Sequence, residues 1–356
     1  MLQIDKIRAF VELGKFLSQF SENANHKNEH VLRNDLFFDA FVNLIQLSQS
    51  HNGWYTESQV YFAIQSWAEA LTEENLTKWL SSYEFSEHST PNKSKTVGLI
   101  LAGNIPLVGF HDFLSVLISG HRALIKTSSN DQHILPFLAN YLIAVAPELQ
   151  TRIKFVDGKL ENFDAVIATG SNNTARYFEY YFKHKPSIIR KSRNSVAVLD
   201  GKETKDLLIA LGDDIFRYFG LGCRNVSKIF VPQEYDFTAF FEAMFSYQDV
   251  IHYEKYANNY DYNKAVFLMS NFKLLDNGFL TIKEDTSYAS PISSVFYEYY
   301  NHLEEVENRL IADQDRIQCI VSNDLLRNSI PFGSTQKPKL WDYADGVDTI
   351  KFLLEL

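Results

Sequence analysis

The chain has 356 residues, and its 46% of apolar residues exclude a disordered or fibrous protein. The length predicts two lobes or one large α/β unit, since it exceeds what one small core needs. The 44 acidic side chains outnumber the 34 basic ones and give a formal charge of −10, which argues against a general nucleic-acid-binding protein. Cys223 and Cys319 are too few for a disulfide framework, so we expect a cytoplasmic protein.

The N-terminal part of the chain has the pattern of amphipathic helices. Apolar residues recur at about the helical period over residues 4–17 and again over residues 36–47. Thr56 and Gln59 have the spacing of a capping box that opens a third helix, and Thr72 is the expected cap of a fourth. No pattern in these helices indicates chemistry.

The first residues, MLQIDKIRAFVELGKF, mix charged with apolar side chains, so we predict neither a signal peptide nor a membrane span. The polar stretch over residues 84–95 predicts a linker. We therefore assign residues 1–96 to a helical N-terminal segment.

From Val97 onward, short β-rich runs alternate with helical patterns, which is typical of parallel strands joined by crossover helices. The runs are VGLILA, RALIK, DAVIA and SVAVL, and we interpret residues 97–201 as a doubly wound, Rossmann-type nucleotide-binding domain. Ligands of such sheets bind at the carboxyl ends of the strands, so the loops after Ala102, Lys126 and Ala168 are the expected binding loops.

A second α/β stretch follows, with the strand-like runs KIFV, GFLTI, SSVFY and RIQCIV. We interpret residues 202–330 as a second α/β domain and residues 331–356 as a C-terminal segment with a candidate role in oligomerisation. The expected fold class of the whole chain is therefore α/β.

The loop after the first predicted strand, LAGNIPLVGF, places Gly103, Asn104 and Pro106 at a strand-to-helix turn. An Asn amide and backbone N–H groups in such a turn can hold a developing oxyanion. The alternative is an ordinary Gly-Asn turn with Pro106 at the start of a helix.

A later loop, ATGSNNTARYF, places Gly170 and Ser171 at another predicted helix start. The N-terminus of a helix binds anions, so this loop suits the pyrophosphate of a dinucleotide. A Gly-Ser helix cap without a ligand has the same sequence.

The run FGLGCRNVSKIFV places Cys223 after two glycines and just before a predicted strand, with Arg224 adjacent. Glycine allows close backbone approach, and a nearby cation lowers the pKa of a thiol toward the reactive thiolate. Cys223 is therefore a candidate nucleophile, with an inert core cysteine as the alternative. We interpret Cys319, in the apolar run IQCIV, as such a core residue.

Taken in order, the Asn-Pro turn, the strand ending in Lys, the Gly-Ser helix start and the Gly-Cys turn resemble the aldehyde dehydrogenase superfamily. Within it, the chain is most similar to the acyl-CoA reductase family of the bacterial luminescence type, LuxC. The resemblance extends from about Val97 to the end of the chain. The N-terminal run NGWYTESQVYFAIQSWAEAL also looks like the reductase branch.

The resemblance implies roles for individual residues. Cys223 matches the family nucleophile, which makes residues 202–330 the catalytic domain, and Asn104 matches the oxyanion-hole amide. Lys126 matches the lysine that binds the cofactor ribose. Gly170 and Ser171 match the Gly-Ser turn that binds phosphate.

Two positions depart from the family pattern. Ser290-Pro291 resembles the Gly-Pro that follows a ribose-contacting glutamate in many relatives, but Tyr288 and Ala289 precede it and the glutamate has no clear counterpart. Ala175 stands where the Gly-Ser motif usually ends in glycine.

The segment IIRKSRNSVAVLDG resembles the one that carries the water-activating glutamate of hydrolytic aldehyde dehydrogenases, yet residues 190–194 contain no carboxylate. Hydrolysis of an acyl-cysteine needs a general base, whereas acyl exchange with a thiol leaving group does not. The departure favours reduction of an acyl-CoA thioester, with a fatty acyl group as the first candidate, over oxidation of an aldehyde to a free acid.

The residues after Lys126 bear on the cofactor. They are Thr127, Ser128 and Ser129, whereas NAD-preferring relatives commonly have a glutamate near the position of Ser129. Without that carboxylate a 2′-phosphate meets less repulsion, so we expect NADPH.

A local basic run extends over residues 183–193 of this acidic chain. Its members are Lys183, His184, Lys185, Arg190, Lys191 and Arg193. We expect Lys191 and Arg193 to contact phosphates of CoA or of the cofactor, with a solvated basic surface as the alternative. The histidines are scattered singly, so we predict no metal site.

The resemblance further implies a homo-oligomer and an acyl-transferring synthetase as a candidate partner. Two other hypotheses stay open at this point. One is an enzyme of the same superfamily that acts on an acyl phosphate or a free aldehyde. The other is a non-catalytic scaffold of the same fold.

Overall fold

The computed structural model describes residues 1–85 and 94–356. The linker expected over residues 84–95 therefore lies mostly outside the described residues. The chain forms two compact units. The first comprises Met1–Lys191 and Lys339–Leu356, and the second comprises Ser192–Pro338.

The first unit begins with the helices that the apolar periodicity predicts. They are α1 (Gln3–Leu17), α2 (Asn34–His51), α3 (Glu57–Ala70) and α4 (Glu73–Leu80). The side chains of Thr56 and Thr72 accept hydrogen bonds from the backbone N–H groups of Gln59 and Asn75, as N-caps should. Fully buried aromatic rings on α1 and α2, such as Phe16 and Phe41, join these helices to the core of the first unit.

The first unit contains a parallel sheet with the strand order β3-β2-β1-β4-β5. The strands are β1 (Thr96–Ile100), β2 (Arg122–Lys126), β3 (Ile153–Phe155), β4 (Ala165–Thr169) and β5 (Ser187–Arg190). The main connecting helices are α5 (Phe110–Ile118), α6 (Ile134–Val145) and α7 (Asn172–Phe182). This order is that of a Rossmann-type, doubly wound half, so the predicted architecture is confirmed.

The register of this sheet places three loops at the same edge. Ile100, at the end of β1, pairs with Lys126 of β2 on one side and with Ala168 of β4 on the other. Because all three strands are parallel, the loops that follow them leave the sheet side by side. From β1 the chain adds strands on one side of the sheet, and from β4 it adds them on the other. Ligands of such sheets bind at this switch point between β1 and β4.

The second unit contains a six-stranded sheet with the order β11-β6-β7-β10-β9-β8. The strands are β6 (Asn194–Val198), β7 (Val226–Pro232), β8 (Leu274–Asp276), β9 (Thr281–Glu284), β10 (Ser294–Tyr300) and β11 (Ile317–Val321). Only the pair of β8 and β9 is antiparallel. The helices are α8 (Lys205–Phe216), α9 (Thr238–Met244), α10 (Glu254–Met269) and α11 (Leu303–Ala312).

The boundary between the units differs from the expected one. The run SVAVL, assigned above to residues 97–201, forms β6 and pairs with β7 and β11 of the second sheet. The boundary therefore lies at Lys191 and Ser192. The apolar pattern of β6 predicts a buried strand correctly, but it carries no information on which sheet buries that strand.

The C-terminal segment also differs from its expected bounds. Residues 331–338 belong to the second unit, while residues 339–356 return to the first. There α12 (Thr349–Leu354) buries Ile350 and Leu353 in the core of the first unit. No helix within residues 1–85 and 94–356 has the length and apolarity that crossing a membrane requires.

Candidate active site

Asn104 lies in the turn that follows β1, with its side chain exposed. The turn is longer than the sequence suggests, because α5 begins only at Phe110 and Pro106 therefore does not start the helix. Leu107 takes a left-handed backbone conformation with φ of 59°. The turn thus holds Asn104 away from the helix and at the edge of the sheet.

The turn after β1 packs closely against the turn after β2. A Cβ atom on Gly103 would lie 2.7 Å from Cβ of Ser128, so only glycine fits this approach. Asn52 supports the second turn, since its Nδ2 donates to the Asn130 carbonyl oxygen over 3.1 Å. Ser129, in this second turn, is exposed, and Lys126 at the end of β2 is half-buried.

Asp131 is a buried carboxyl group at the same place. A Cβ atom on Gly103 would lie 3.1 Å from Cβ of Asp131, so the carboxyl-bearing residue packs beneath the turn of Asn104. Burial raises the pKa of Asp131 to about 7, and hydrogen bonds involving Tyr55 and the backbone of Leu107 partly offset this rise. No pattern in the sequence predicts this buried carboxyl group.

Gly170 and Ser171 lie between β4 and α7. Ser171 is the N-cap of α7, and its Oγ accepts a hydrogen bond from the backbone N–H of Thr174 over 3.3 Å. The backbone N–H of Gly170 donates to the Arg190 carbonyl oxygen of β5. Ala175, where relatives usually have glycine, is fully buried. The exposed end of α7 is thus a suitable place for an anion.

The structure of the first unit brings four of the predicted residues to one edge. Asn104, Lys126, Gly170 and Ser171 end or follow three neighbouring parallel strands, as the register above requires. An amide, an ammonium group and a helix N-terminus at the switch point of a doubly wound sheet are a combination suited to a dinucleotide.

Cys223 belongs to the second unit and lies in a tight turn, residues 222–225, which we call the Cys223 turn. Its side chain is exposed. The turn precedes β7, so it lies at the amino end of a strand rather than the carboxyl end. The backbone N–H of Asn225 closes it by donating to the Gly222 carbonyl oxygen over 3.0 Å. Cys319, in contrast, is buried in β11 as expected.

The side chain of Asn225 is buried and joins the Cys223 turn to the end of α8. Its Oδ1 accepts a hydrogen bond from the backbone N–H of Gly222 over 2.8 Å. Its Nδ2 donates to the carbonyl oxygens of Asp214 and Arg217 over 2.9 and 2.8 Å. These carbonyls lie in the last turn and at the C-cap of α8, where carbonyl groups have no partner within the helix.

The backbone between α8 and the Cys223 turn is strained. Tyr218, Phe219 and Gly220 have φ angles of 53°, 58° and 77°, all in the left-handed region. For the two residues with side chains this conformation costs about 1–2 kcal/mol each. Both rings are buried, and Phe219 stacks on Tyr253 with 4.5 Å between the ring centroids. Burial of the rings offsets the strain, which is typical of functional turns.

Arg224 and Asp214 attach the Cys223 turn to residues 333–335. The guanidinium Nε of Arg224 donates to the Thr335 carbonyl oxygen over 2.6 Å. The fully buried carboxylate of Asp214 accepts hydrogen bonds from the backbone N–H groups of Gly333 and Thr335. Burial raises the pKa of Asp214 to about 6. Arg224, predicted as a cation next to the thiol, thus also has a structural role.

The segment that carries a glutamate in hydrolytic relatives contacts the Cys223 turn through a serine. It is Ser195 of β6, which is fully buried and whose Oγ donates to the Cys223 carbonyl oxygen over 3.0 Å. A hydroxyl group at this position fixes the backbone of Cys223. It is not a general base.

The basic run is not a single cluster. Arg190 is buried and forms an ion pair with Asp112 over 2.7 Å, and its guanidinium also donates to the Ala344 carbonyl oxygen. Arg190 therefore belongs neither to a phosphate-binding surface nor to a solvated basic surface, the two alternatives for this run, because its charge is neutralised inside the first unit. Lys185 is engaged as well, through Nζ and the Phe163 carbonyl oxygen.

The two predicted substrate-binding cations have different surroundings. Lys191, in the first unit, pairs with Glu179 of α7 over 2.7 Å, and both side chains are about half exposed. Arg193, in the second unit, donates from Nη1 to the carbonyl oxygens of Gln314 and Ile317 over 3.0 and 3.3 Å. Lys191 is thus the more accessible of the two to an anionic ligand.

Ser290 and Pro291 also lie near the Cys223 turn in the second unit. They line a small cavity together with Gly220, Val226 and Ser227, which flank the turn in the sequence. Within residues 1–85 and 94–356, no group of three or more His, Cys, Asp or Glu side chains is arranged to hold a metal ion.

Sequence reasoning missed Asn225, Asp214 and Ser195. An Asn at the fourth position of a Gly-x-x-Asn turn is a recognisable signal, since Asn side chains commonly bond to nearby backbone groups. No comparable signal exists for Asp214 or Ser195, because their partners are distant in the sequence. Asp214 bonds to Gly333, 119 residues away, and Ser195 bonds to Cys223, 28 residues away.

A family model described as acyl-CoA reductase (LuxC) matches residues 63–248. This range includes Asn104, Lys126, Gly170, Ser171 and Cys223. No curated protein sequence matches the chain.

Several solved aldehyde dehydrogenases are similar in structure. An indole-3-acetaldehyde dehydrogenase in complex with NAD+ has a TM-score of 0.63 at 13% identity, covering 91% of this chain and 73% of its own. A Mycobacterium tuberculosis aldehyde dehydrogenase complexed with NAD+ has a TM-score of 0.62 at 14% identity, covering 92% and 75%. A Pseudomonas aeruginosa aldehyde dehydrogenase has a TM-score of 0.59 at 13% identity, covering 90% of this chain and 72% of its own. These similarities show an aldehyde-dehydrogenase-like fold.

Proposed function

Since the chain belongs to the LuxC family of acyl-CoA reductases, we propose that it reduces an acyl-CoA thioester, with a fatty acyl group as the first candidate, to the aldehyde with NADPH. The observation that carries this proposal is the Cys223 turn. It exposes one thiol on a backbone that buried hydrogen bonds fix on both sides. A core cysteine has no need of such a support.

In the proposed reaction the Cys223 thiolate attacks the carbonyl carbon of the thioester. The bond from carbon to the sulfur of CoA breaks, CoA leaves as a thiol after taking up a proton, and an acyl-cysteine forms. A nicotinamide held by Lys126 and the Gly170-Ser171 turn would supply the hydride that reduces the acyl-cysteine to a thiohemiacetal. Collapse of the thiohemiacetal releases the aldehyde and returns Cys223 to the thiolate.

Asn104 is the proposed donor to the oxyanion that develops on the acyl carbonyl oxygen. Asn104 is exposed on a turn that the close packing of Gly103 holds in place, and this supports the proposed role. The backbone N–H of Cys223 is the second proposed donor.

The absence of a carboxylate from residues 190–194 favours a thioester as the acyl donor. Ser195 of this segment contacts the Cys223 turn, and its hydroxyl donates to a backbone carbonyl oxygen. An acyl-cysteine in these surroundings lacks the base that hydrolysis requires from this segment, so it persists until it is reduced.

The edge of the first sheet fits a nicotinamide dinucleotide. The end of α7 at Gly170 and Ser171 would hold the pyrophosphate, and Lys126 the ribose. Two of the similar dehydrogenases described above were solved with NAD+. For this chain we propose NADPH, because Ser129 is exposed and uncharged where a carboxylate would repel the 2′-phosphate.

Lys191 and Arg193 are the proposed contacts to phosphates of CoA. Lys191 has the more exposed charge, and an incoming phosphate would compete with Glu179 for it. We further propose that the protein acts in the cytoplasm as a homo-oligomer, with an acyl-transferring synthetase as the source of its acyl groups.

The test is NADPH oxidation by the purified protein with acyl-CoAs of several chain lengths, compared with NADH as reductant. Cys223→Ala is the test variant, and Cys319→Ala is the matched control in the core. Turnover that Cys223→Ala abolishes and Cys319→Ala keeps supports the proposal. Turnover of acyl phosphates or free aldehydes alone would move the chain to another reaction of the superfamily. No turnover and no acyl-enzyme with any donor would favour the scaffold.

A further inference from the structure

We propose that Asn225 is a positioning residue for Cys223, fixing the turn that presents the thiol to the acyl donor. The inference rests on the proposed function, in which Cys223 is the nucleophile. It starts from one observation: both the amide oxygen and the amide nitrogen of a single buried side chain bond to the backbone around Cys223 and at the end of α8.

The first part of the argument is closure of the turn. The backbone N–H of Asn225 donates to the Gly222 carbonyl oxygen, and the Gly222 N–H donates back to Oδ1 of Asn225. These two bonds run in opposite directions and enclose Cys223. Ser195 adds a third bond, on the carbonyl oxygen of Cys223 itself. The backbone that carries the thiol is therefore fixed, while the thiol stays exposed.

The second part is the anchor. Nδ2 of Asn225 donates to carbonyl oxygens of Asp214 and Arg217, in the last turn and at the C-cap of α8. A helix is a rigid element, so these bonds hold the thiol in a fixed position relative to α8. The glycines that precede Cys223 could not do this, because they are flexible. Catalytic groups need such support, because a displacement of about 1 Å can cost 10²-fold in rate.

The amide is the chemical group that this place requires. Its oxygen accepts a hydrogen bond from an N–H group, while its nitrogen donates to carbonyl oxygens. Aspartate would keep the acceptor for Gly222, but it would set a carboxylate against the carbonyl oxygens of Asp214 and Arg217. Alanine would remove both sets of bonds.

A residue with a purely structural role would also have satisfied hydrogen bonds, so the test must separate folding from positioning. The two cysteines make this separation possible. Acylation of the exposed Cys223 by an acyl-CoA reports on the turn, whereas iodoacetamide labelling of the buried Cys319 reports on opening of the fold. Peptide mass spectrometry measures both in the same sample.

The experiment compares wild type, Asn225→Ala, Asn225→Asp and Asn277→Ala. Asn277 is the matched control, because its Oδ1 also accepts backbone N–H bonds in a turn of the second unit, those of Phe279 and Leu280. The measured quantities are the rate of acyl-Cys223 formation, kcat, KM for the acyl-CoA, and the rate of Cys319 labelling.

We expect Asn225→Ala and Asn225→Asp to slow acylation and kcat at least tenfold. KM should change less than threefold and Cys319 labelling should stay as slow as in wild type. Asn277→Ala should acylate at the wild-type rate. Two results would overturn the inference but not the proposed function. One is acylation at the wild-type rate in both Asn225 variants. The other is a loss of acylation that is accompanied by a matching increase in Cys319 labelling. If wild-type Cys223 accepts no acyl group from any acyl-CoA, the proposed function fails and the inference fails with it.

Discussion

In the first unit, the candidate residues Asn104, Lys126 and Gly170 lie at or just past the carboxyl ends of three parallel strands, whereas in the second unit Cys223 precedes its strand. The loops of the first unit are placed by the order of the strands in the sheet. The Cys223 turn is placed by side chains that are remote in the sequence, among them Ser195.

The difference teaches that the two halves of the proposed chemistry have different structural requirements. A dinucleotide is large and polar, so a sheet edge with a helix N-terminus and a cation suffices to bind it. A nucleophile must be held to within a fraction of an ångström, so its turn carries strain and dense hydrogen bonding. Substitutions in the two units should therefore separate binding from chemistry.

The largest expected effect is that of Cys223→Ala. Removing the nucleophile should lower kcat by about 10⁴-fold or more. Binding of NADPH, which we assign to residues of the first unit, should persist, as titration of nucleotide fluorescence would show. Activity comparable to wild type, or loss of NADPH binding, would contradict the division of roles between the units.

Asn104→Ala should lower kcat by about 10²–10³-fold, because it removes one donor to the developing oxyanion. Steady-state kinetics would show this loss with little change in the KM for acyl-CoA. Asn277→Ala is the control for loss of an amide elsewhere. A rise in KM with unchanged kcat would mean that Asn104 binds substrate without stabilising the oxyanion.

Asp131→Asn should act on stability and not on chemistry. Burial raises the pKa of Asp131 to about 7, above the value of about 3.9 for an unfolded chain. The folded state thus favours the neutral acid, and the stability this group contributes is present at low pH and lost as the pH rises from about 4 to about 7.

Between pH 5 and pH 8 we therefore expect wild type to lose about 2–3 kcal/mol of stability relative to Asp131→Asn, because the amide of the variant does not titrate. Chemical denaturation at both pH values measures this. A variant that is less stable by the same amount at both would show that the carboxylate is needed in its charged form.

The smallest expected effect is that of Ser129→Glu. A carboxylate at this exposed position should repel the 2′-phosphate and shift the ratio of kcat/KM for NADPH over NADH by about tenfold toward NADH. Ser128→Ala, in the same turn, is the control for a neutral change. An unchanged ratio would place the 2′-phosphate elsewhere.

Much of the first unit could be predicted from the sequence, since its strands are contiguous apolar runs and its turns follow them directly. The register that brings Lys126 and Gly170 together follows from the parallel order alone. The sequence did not reveal that β6 joins the second sheet or that Arg190 is buried against Asp112. Both facts depend on pairings between distant segments, and local periodicity does not encode these.

The Cys223 turn shows the same limit inside one site. Cys223 itself is conspicuous after two glycines, and Arg224 next to it has the expected charge. The hydrogen bonds of Asn225 to α8 and the strain over residues 218–220 arise only when the helix and the strand are in place. The sequence singles out Cys223 as a candidate nucleophile, but it does not show that the turn of Cys223 is bonded to α8.

The central claim is that Cys223 becomes acylated by a CoA thioester. The most direct test mixes the protein with a fatty acyl-CoA in the absence of any reductant and locates the acyl group by peptide mass spectrometry. The account predicts one acyl group on Cys223, release of one equivalent of CoA, and loss of the label when NADPH is added. An acyl group on another residue, or turnover with Cys223 unmodified throughout, would contradict it.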